Sequence, residues 1–233
     1  MLNMSDAIVR SRRVKSDDIF GALREGAPIS DRKFDELFTY ESQRLSSRHW
    51  TPAHVAICAA EMLVQGHDAR VLDVGCGPGK FCLIGAATQS ARFTGIDQRL
   101  HLLAEAEAIA LGANIENIEF IHGNMMDLDW SVYNAFYLYN PFMENVYSPS
   151  IIDETVSLKL EYYYKYIDVV RRKLSLLPLG TRVVTYHGFG GDMPHGYRLV
   201  SSRSFDSDYL MCWVKETTWV PTLYFDHEGT PSP

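Results

Sequence analysis

The chain has 233 residues, room for one well-filled α/β domain and too few for two ordinary ones. Hydrophobic residues make up 46% and charged residues 22%, the balance of a globular protein, and no run approaches the ~18 apolar residues of a membrane span. A formal net charge of −7 lacks the broad positive field that phosphate-binding proteins use, so a small molecule or a protein is the favoured substrate and nucleic acid the disfavoured one.

Residues Met1 to Arg10 lack the apolar centre of a secretory signal. Cys58, Cys76, Cys82 and Cys212 form no CxxC pair, which suggests neither a zinc site nor a disulfide framework. The expectation is a cytoplasmic protein with reduced thiols and no membrane association.

In chain order, residues 1–47 read as a helical, partly mobile N-terminal extension, polar and only weakly periodic at its start. Asp31 is placed to cap a short helix carrying Phe34, Leu37 and Phe38. A main domain is expected over residues 48–220, followed by a tail at 221–233. It opens with a helix for which Thr51 is the expected N-cap, Pro52 the first turn and Gly66 the stop. Strands are then expected at Arg70–Val74, Arg92–Ile96, Ile118–His122, Ala135–Tyr139 and Arg182–His187. Helices separate them at Lys80–Gln89, Leu100–Leu111 and about Ser157–Leu177. That alternation implies a doubly wound, mostly parallel sheet with helices on both faces. Tyr197–Ser202 and Tyr209–Lys215 leave no room for a helix between them, so they form an antiparallel hairpin.

The segment Val71-Leu72-Asp73-Val74-Gly75-Cys76-Gly77-Pro78-Gly79-Lys80 runs from a buried strand through a glycine turn into a helix. Such turns let the backbone approach a nucleotide-like ligand at the carboxyl ends of the strands. The dinucleotide fingerprint GxGxxG would need glycine where Lys80 stands; the sequence is GxGxG instead. Asp97 closes the second strand, at the distance where an acid accepts both ribose hydroxyls. Ile121-His122-Gly123-Asn124-Met125-Met126-Asp127 follows the third strand, and Ala135-Phe136-Tyr137-Leu138-Tyr139-Asn140-Pro141-Phe142 ends the fourth.

Taken together these segments resemble the class I S-adenosylmethionine-dependent methyltransferases. The resemblance implies a Rossmann-like, seven-stranded fold, S-adenosyl-L-methionine as cofactor, and methyl transfer to a nitrogen of a protein side chain or small molecule. By family pattern, Gly75, Gly77 and Gly79 pack against the methionine part, Asp73 helps hold its amino group, and Asp97 takes the ribose. Asn124, where the family has an acid, faces the adenine amine, with Asp127 a second candidate and Met125 lining the adenine pocket. Asn140, Pro141 and Phe142 resemble the (D/N)-P-P-(Y/F) motif of amino methyltransferases, one proline short, and are the catalytic candidates.

Trp50 and Thr51, before the glycine strand, and His187, after the fifth strand, are candidates for the substrate side or a lid. His187 and His195 suggest no metal site, since no carboxylate cluster accompanies them. The tyrosines Tyr162, Tyr163, Tyr164 and Tyr166 read as a helix packing feature. An NAD-dependent oxidoreductase and a non-catalytic cofactor-binding subunit are the alternative readings.

Overall fold

A computed structural model describes residues 16–218; the expected tail at 221–233 and the first residues of the extension lie outside the described residues. Strands β1 (Arg70–Val74), β2 (Arg92–Asp97), β3 (Ile118–His122), β4 (Ala135–Tyr139), β5 (Arg182–Tyr186), β6 (Tyr197–Ser204) and β7 (Tyr209–Lys215) form one sheet in the order β3-β2-β1-β4-β5-β7-β6. β1 to β5 are mutually parallel, and β7 runs antiparallel to both β5 and β6. The chain builds outward from β1 to β3 and then returns to β4 on the other side. That reversal opens a crevice between β1 and β4 at their carboxyl ends, where ligands bind in open α/β sheets.

The helices are α1 (residues 16–24), α2 (Asp31–Asp35), α3 (Tyr40–His49), α4 (Ala53–Leu63), α5 (Lys80–Thr88), α6 (Leu100–Gly112) and α7 (Leu160–Leu176). Alternation along the strands divides the interior into two cores. Val71, Tyr137 and Val184 pack with α4, α5 and α6, while Leu72, Val74, Phe136 and Val183 pack with α7. Both faces are covered, so the central strands read as continuous apolar runs. α7 buries Tyr166, Val169, Val170 and Leu174, one stripe at helical spacing. The ammonium of Lys215 in β7 closes its far end, donating to the carbonyls of Leu174, Ser175 and Leu177 at 3.3, 2.6 and 2.6 Å. Those carbonyls are ones a helix C-terminus leaves unpaired. Among the described residues, no helix is long and apolar enough to cross a membrane.

The start of the chain departs from expectation. Ile19, Phe20 and Leu23 of α1 are buried in the same core as α4 and α5, with Phe20 edge-on to Phe34 at 5.9 Å. The boundary expected at residue 48 is therefore not a boundary in packing. The capping assignments change as well. Ser30, not Asp31, is the N-cap of α2, and Pro52, not Thr51, precedes α4. The Thr51 hydroxyl instead meets the Tyr137 hydroxyl at 2.9 Å. Asp31 caps α4 from a distance in sequence: its Oδ1 accepts from the backbone N–H of Ala53 at 2.7 Å.

The same Asp31 oxygen takes part in a buried ion cluster. Lys80 opens α5 and is 2% exposed. Its Nζ donates to Asp31 Oδ1 at 2.6 Å, Asp35 Oδ1 at 2.7 Å and Ser46 Oγ at 3.3 Å. A cation at a helix N-terminus sits at the unfavourable end of the helix dipole, and burial adds a desolvation cost. The two carboxylates offset both, and in doing so join α2, α3 and α4 to the turn before α5. Replacing Lys80 leaves Asp35 buried and unpaired. Lys80→Met is expected to lower the unfolding free energy by about 3 kcal/mol. Urea denaturation measures this, and a loss under ~1 kcal/mol would show that the cluster is not what holds the N-terminal helices down.

Candidate active site

The crevice at the switch point is a cleft of about 280 Å³. Its floor is the glycine turn. Gly75 and Gly77 have φ of +76° and +56°, a region that side chains rarely adopt. Space is tight too: a Cβ on Gly75 would stand 3.1 Å from Pro141 Cβ, and one on Gly77 would stand 2.7 Å from Trp50 Cζ3. The turn thus brings the loop after β4 and the end of α3 to opposite sides of one groove.

Asp97 ends β2 beside that turn. Its Oδ2 accepts from Gly77 N–H and its Oδ1 from Arg99 N–H, both at 2.9 Å. Each oxygen keeps a further acceptor site, and the carboxylate lines the cleft. Burial raises its pKa, partly countered by the N–H donors of Arg99 and Gly77. Asp97 is therefore both a cap and a ligand-facing acceptor. Beyond it, Ile96 and Met125 supply apolar lining. Asn124 also lines the cleft, but its amide is already engaged: Oδ1 accepts from Met126 N–H at 3.0 Å, and Nδ2 donates to Gln98 Oε1 and the Tyr166 hydroxyl.

The opposite wall follows β4. Asn140 has φ +40° and its N–H bonds to Gly188 O at 2.9 Å, tying the ends of β4 and β5 together. A left-handed asparagine at a strand end is a strained, functionally suggestive conformation. Its side-chain amide makes no hydrogen bond among the described residues and lines the cleft with Pro141 and Phe142. The Phe142 ring is buried against Tyr166, 5.1 Å between centres. The rest of this loop is anchored from the turn between β2 and α6. Arg99, 6% exposed, reaches Glu144 at 2.7 Å and Asp153 at 3.1 Å.

The predicted residues do not all converge. Gly75, Gly77, Asp97, Asn124, Met125, Asn140, Pro141, Phe142, Trp50 and His187 line the cleft; Asp73, Gly79, Thr51 and Asp127 do not. Gly79 is the N-cap of α5 and packs against Phe120, and Asp127 is exposed. His187 has both ring nitrogens occupied, Nε2 by Ser207 Oγ at 2.9 Å and Nδ1 by Asp208 Oδ2 at 3.2 Å. It ties the turn between β6 and β7 to the cleft edge. Several other lining residues carried no signal in the motifs, among them His49, Arg99, Glu144 and Tyr166. Only the i, i+3 and i+4 spacing of Tyr166 with Val169 and Val170 marked it as inward-facing. His49 is neutral, its pKa pushed down to about 4 by burial and the cations Arg48 and Arg99.

Asp73 sits behind the turn, 4% exposed, with Cys82 Sγ 3.6 Å from its Oδ2. Burial, with the nearby Asp97 charge, lifts its pKa to about 8. The unfolded chain loses this proton near pH ~3.9. The folded state therefore keeps a proton that the unfolded state releases, and this contribution to stability is full below pH ~4 and is lost as pH rises through about 8. Asp73→Asn removes that dependence. In urea denaturation between pH 5 and 8, wild type should lose stability relative to Asp73→Asn by up to ~1.4 kcal/mol per pH unit. Parallel curves for the two proteins would show that Asp73 is ionised in the fold.

Part of the chain that forms this cleft matches known proteins. Residues 65–142, from the approach to β1 through Phe142, match a family model described as a methyltransferase domain. A tRNA (guanine-N(7)-)-methyltransferase from Chloroflexus aurantiacus is 34% identical over 86 residues, 36% of this chain and 38% of the relative. The chain thus matches well under half the length of that curated relative. Among solved structures, an RNA methyltransferase from Salinibacter ruber in complex with S-adenosyl-L-homocysteine superposes with a TM-score of 0.54 at 21% identity, over 74% of this chain and 96% of that one. TrmN from Thermus thermophilus gives a TM-score of 0.55 at 20% identity, over 79% and 52%. The tRNA-directed relative overturns the expectation, drawn from net charge, that nucleic acid is the disfavoured partner. A charge of −7 sums the whole chain, whereas phosphate recognition depends on a local patch. Residues 65–142 thus match the model of a methyltransferase domain over a third of the chain, and the seven-stranded sheet is a fold shared with solved methyltransferases.

Proposed function

We propose that this chain transfers the methyl group of S-adenosylmethionine to a guanine of RNA, with N7 as the acceptor atom. One juxtaposition carries the reading: Asp97 and Asn140 face the same cleft from opposite walls, across a glycine turn that only backbone fills. The residues present fit an adenosyl cofactor. Asp97 offers acceptors for ribose hydroxyls, Ile96 and Met125 an apolar seat, and Gly75 and Gly77 room for close approach. When bound, the cofactor would supply a methyl group on a sulfonium sulfur, and that sulfur leaves as a neutral thioether, so no acid is needed.

The substrate is supported by the tRNA (guanine-N(7)-)-methyltransferase likeness and by the proton chemistry of the cleft. Guanine N7 presents an in-plane lone pair and carries no hydrogen, so no base must remove one. That suits a cleft in which His187 has both nitrogens occupied and His49 is too weak a base, with its pKa near about 4. The work left to the protein is alignment. Asn140, with an unengaged amide held by a fixed backbone, orients the base edge, and Phe142 and Pro141 flank it. A second reading, methylation of an exocyclic amine, draws on Asn140-Pro141, whose carbonyls suit an amine's hydrogens.

Incubation with labelled methyl donor and unfractionated tRNA, followed by nucleoside digestion, tests both. The expected product is 7-methylguanosine; a label only on an exocyclic amine favours the second reading, and no labelled nucleoside contradicts RNA methylation. Two variants test the site. Asp97→Ala should weaken S-adenosylhomocysteine binding by roughly 10- to 100-fold in calorimetry, from lost hydrogen bonds of ~1–3 kcal/mol. Unchanged affinity would reduce Asp97 to a cap. Asn140→Ala should cut turnover on the order of 100-fold with cofactor affinity nearly intact. Full turnover in the folded variant would remove Asn140 from catalysis.

A further inference from the structure

Outside the cleft, the exposed ridge of α3 is the feature that neither packing nor the cofactor site accounts for. Tyr40, Arg44 and Arg48 recur every four residues, so they stack along one helix face over about 12 Å. Tyr40 is 70% exposed, and the Arg44 guanidinium stands 6.0 Å from its ring centre. Arg48, one turn further on, donates to Pro149 O at 3.1 Å. A surface basin lined by Glu41, Arg44, Leu45, Arg48, His49 and Ile152 runs beside this ridge. Arg48, His49 and Ile152 also line the active-site cleft, so the basin and the cleft share a wall.

We infer that this ridge is a docking strip for the single-stranded ribose-phosphate backbone flanking the target base. The inference rests on the RNA reading proposed above and adds where the RNA lies. The charge balance supports it: Glu41 is the one carboxylate among the basin residues, against the two guanidiniums of Arg44 and Arg48, on a chain whose total is −7. The chemistry is equally directed. Guanidiniums hold phosphates through several N–H donors, and an exposed ring offers a stacking face to any base. An aromatic followed by two arginines along one line suits an unpaired strand, whose bases are free to stack. The strip ends at His49 and Trp50, at the cleft mouth, so a strand lying on α3 delivers its next nucleotide toward Asn140.

The test is fluorescence anisotropy of the full chain with a labelled, guanine-containing, single-stranded RNA oligonucleotide at several salt concentrations. Arg44→Glu should weaken binding at least tenfold and lower the slope of log affinity against log salt by about one. Tyr40→Ala should weaken it on the order of tenfold with little change in slope. S-adenosylhomocysteine affinity should stay at the wild-type value in both, which also reports that they fold. Arg172→Glu on α7, far along the chain and 64% exposed, is the charge-matched control and should change little. Wild-type RNA affinity in both ridge variants, or equal losses in Arg44→Glu and Arg172→Glu, would overturn the strip while leaving the RNA reading intact. A wild-type chain that binds no RNA even at low salt would overturn the RNA reading, and the strip with it.

Discussion

Lys80 must be neutralised, and much of the molecule is arranged around that requirement. It begins the helix that follows the glycine turn, where the helix dipole and burial both oppose a cation. Asp31 and Asp35 answer it, and both come from the short helix α2, well before the sheet begins. Because Asp31 also caps α4, one carboxylate fixes the starts of two helices that lie on the same face of the sheet. Ser46 extends the cluster into α3, and α3 ends at Trp50, whose ring presses on Gly77. The ion cluster therefore sets the position of the wall that faces the glycine turn. A dinucleotide fold would place glycine at residue 80; here the side chain itself becomes the fastener.

The other wall is held by a second buried cation. Arg99 lies two residues past Asp97 and grips Glu144 and Asp153 in the loop between β4 and α7. Asn140 and His187 end the neighbouring strands β4 and β5, both with positive φ, and the Asn140 N–H bonds to the carbonyl after His187. Strain at paired strand ends is tolerated where surrounding contacts over-determine it. Here those contacts are Arg99 on one side and the Ser207–His187–Asp208 hydrogen bonds on the other. The cleft between the walls is thus preformed by ion pairs and backbone hydrogen bonds, which suits chemistry whose main demand is alignment.

The sheet was legible in the sequence because its strands obey local rules. Val71 to Val74, Phe93 to Ile96 and Ala135 to Leu138 are apolar runs of strand length closed by turn residues, and the short span between Ser204 and Tyr209 admits only a hairpin. The placement of the glycine turn and of Asp97 at the cleft was legible for the same reason, since both follow from the strand–turn–helix spacing. What escaped depends on distant partners. Ile19, Phe20 and Leu23 form a small apolar face among charges, which becomes meaningful only against Phe34 and α4. Asp31 has the signature of a local cap, yet its partners are Ala53 and Lys80. His187 looked free because Ser207 and Asp208 lie twenty residues on, across the sheet edge. Net charge disfavoured a nucleic-acid partner, against the tRNA-directed relative, because a sum over the whole chain carries no information on local patches.

In the proposed function an adenosyl cofactor lies across the glycine turn between these two walls. A crystal structure of the chain with S-adenosylhomocysteine tests it most directly. The ribose hydroxyls are expected on Asp97, the adenine beside Met125, and the sulfur on the Asn140 side of Gly75. Density for the ligand elsewhere, or with Asp97 still bonded only to Gly77 and Arg99, would contradict it.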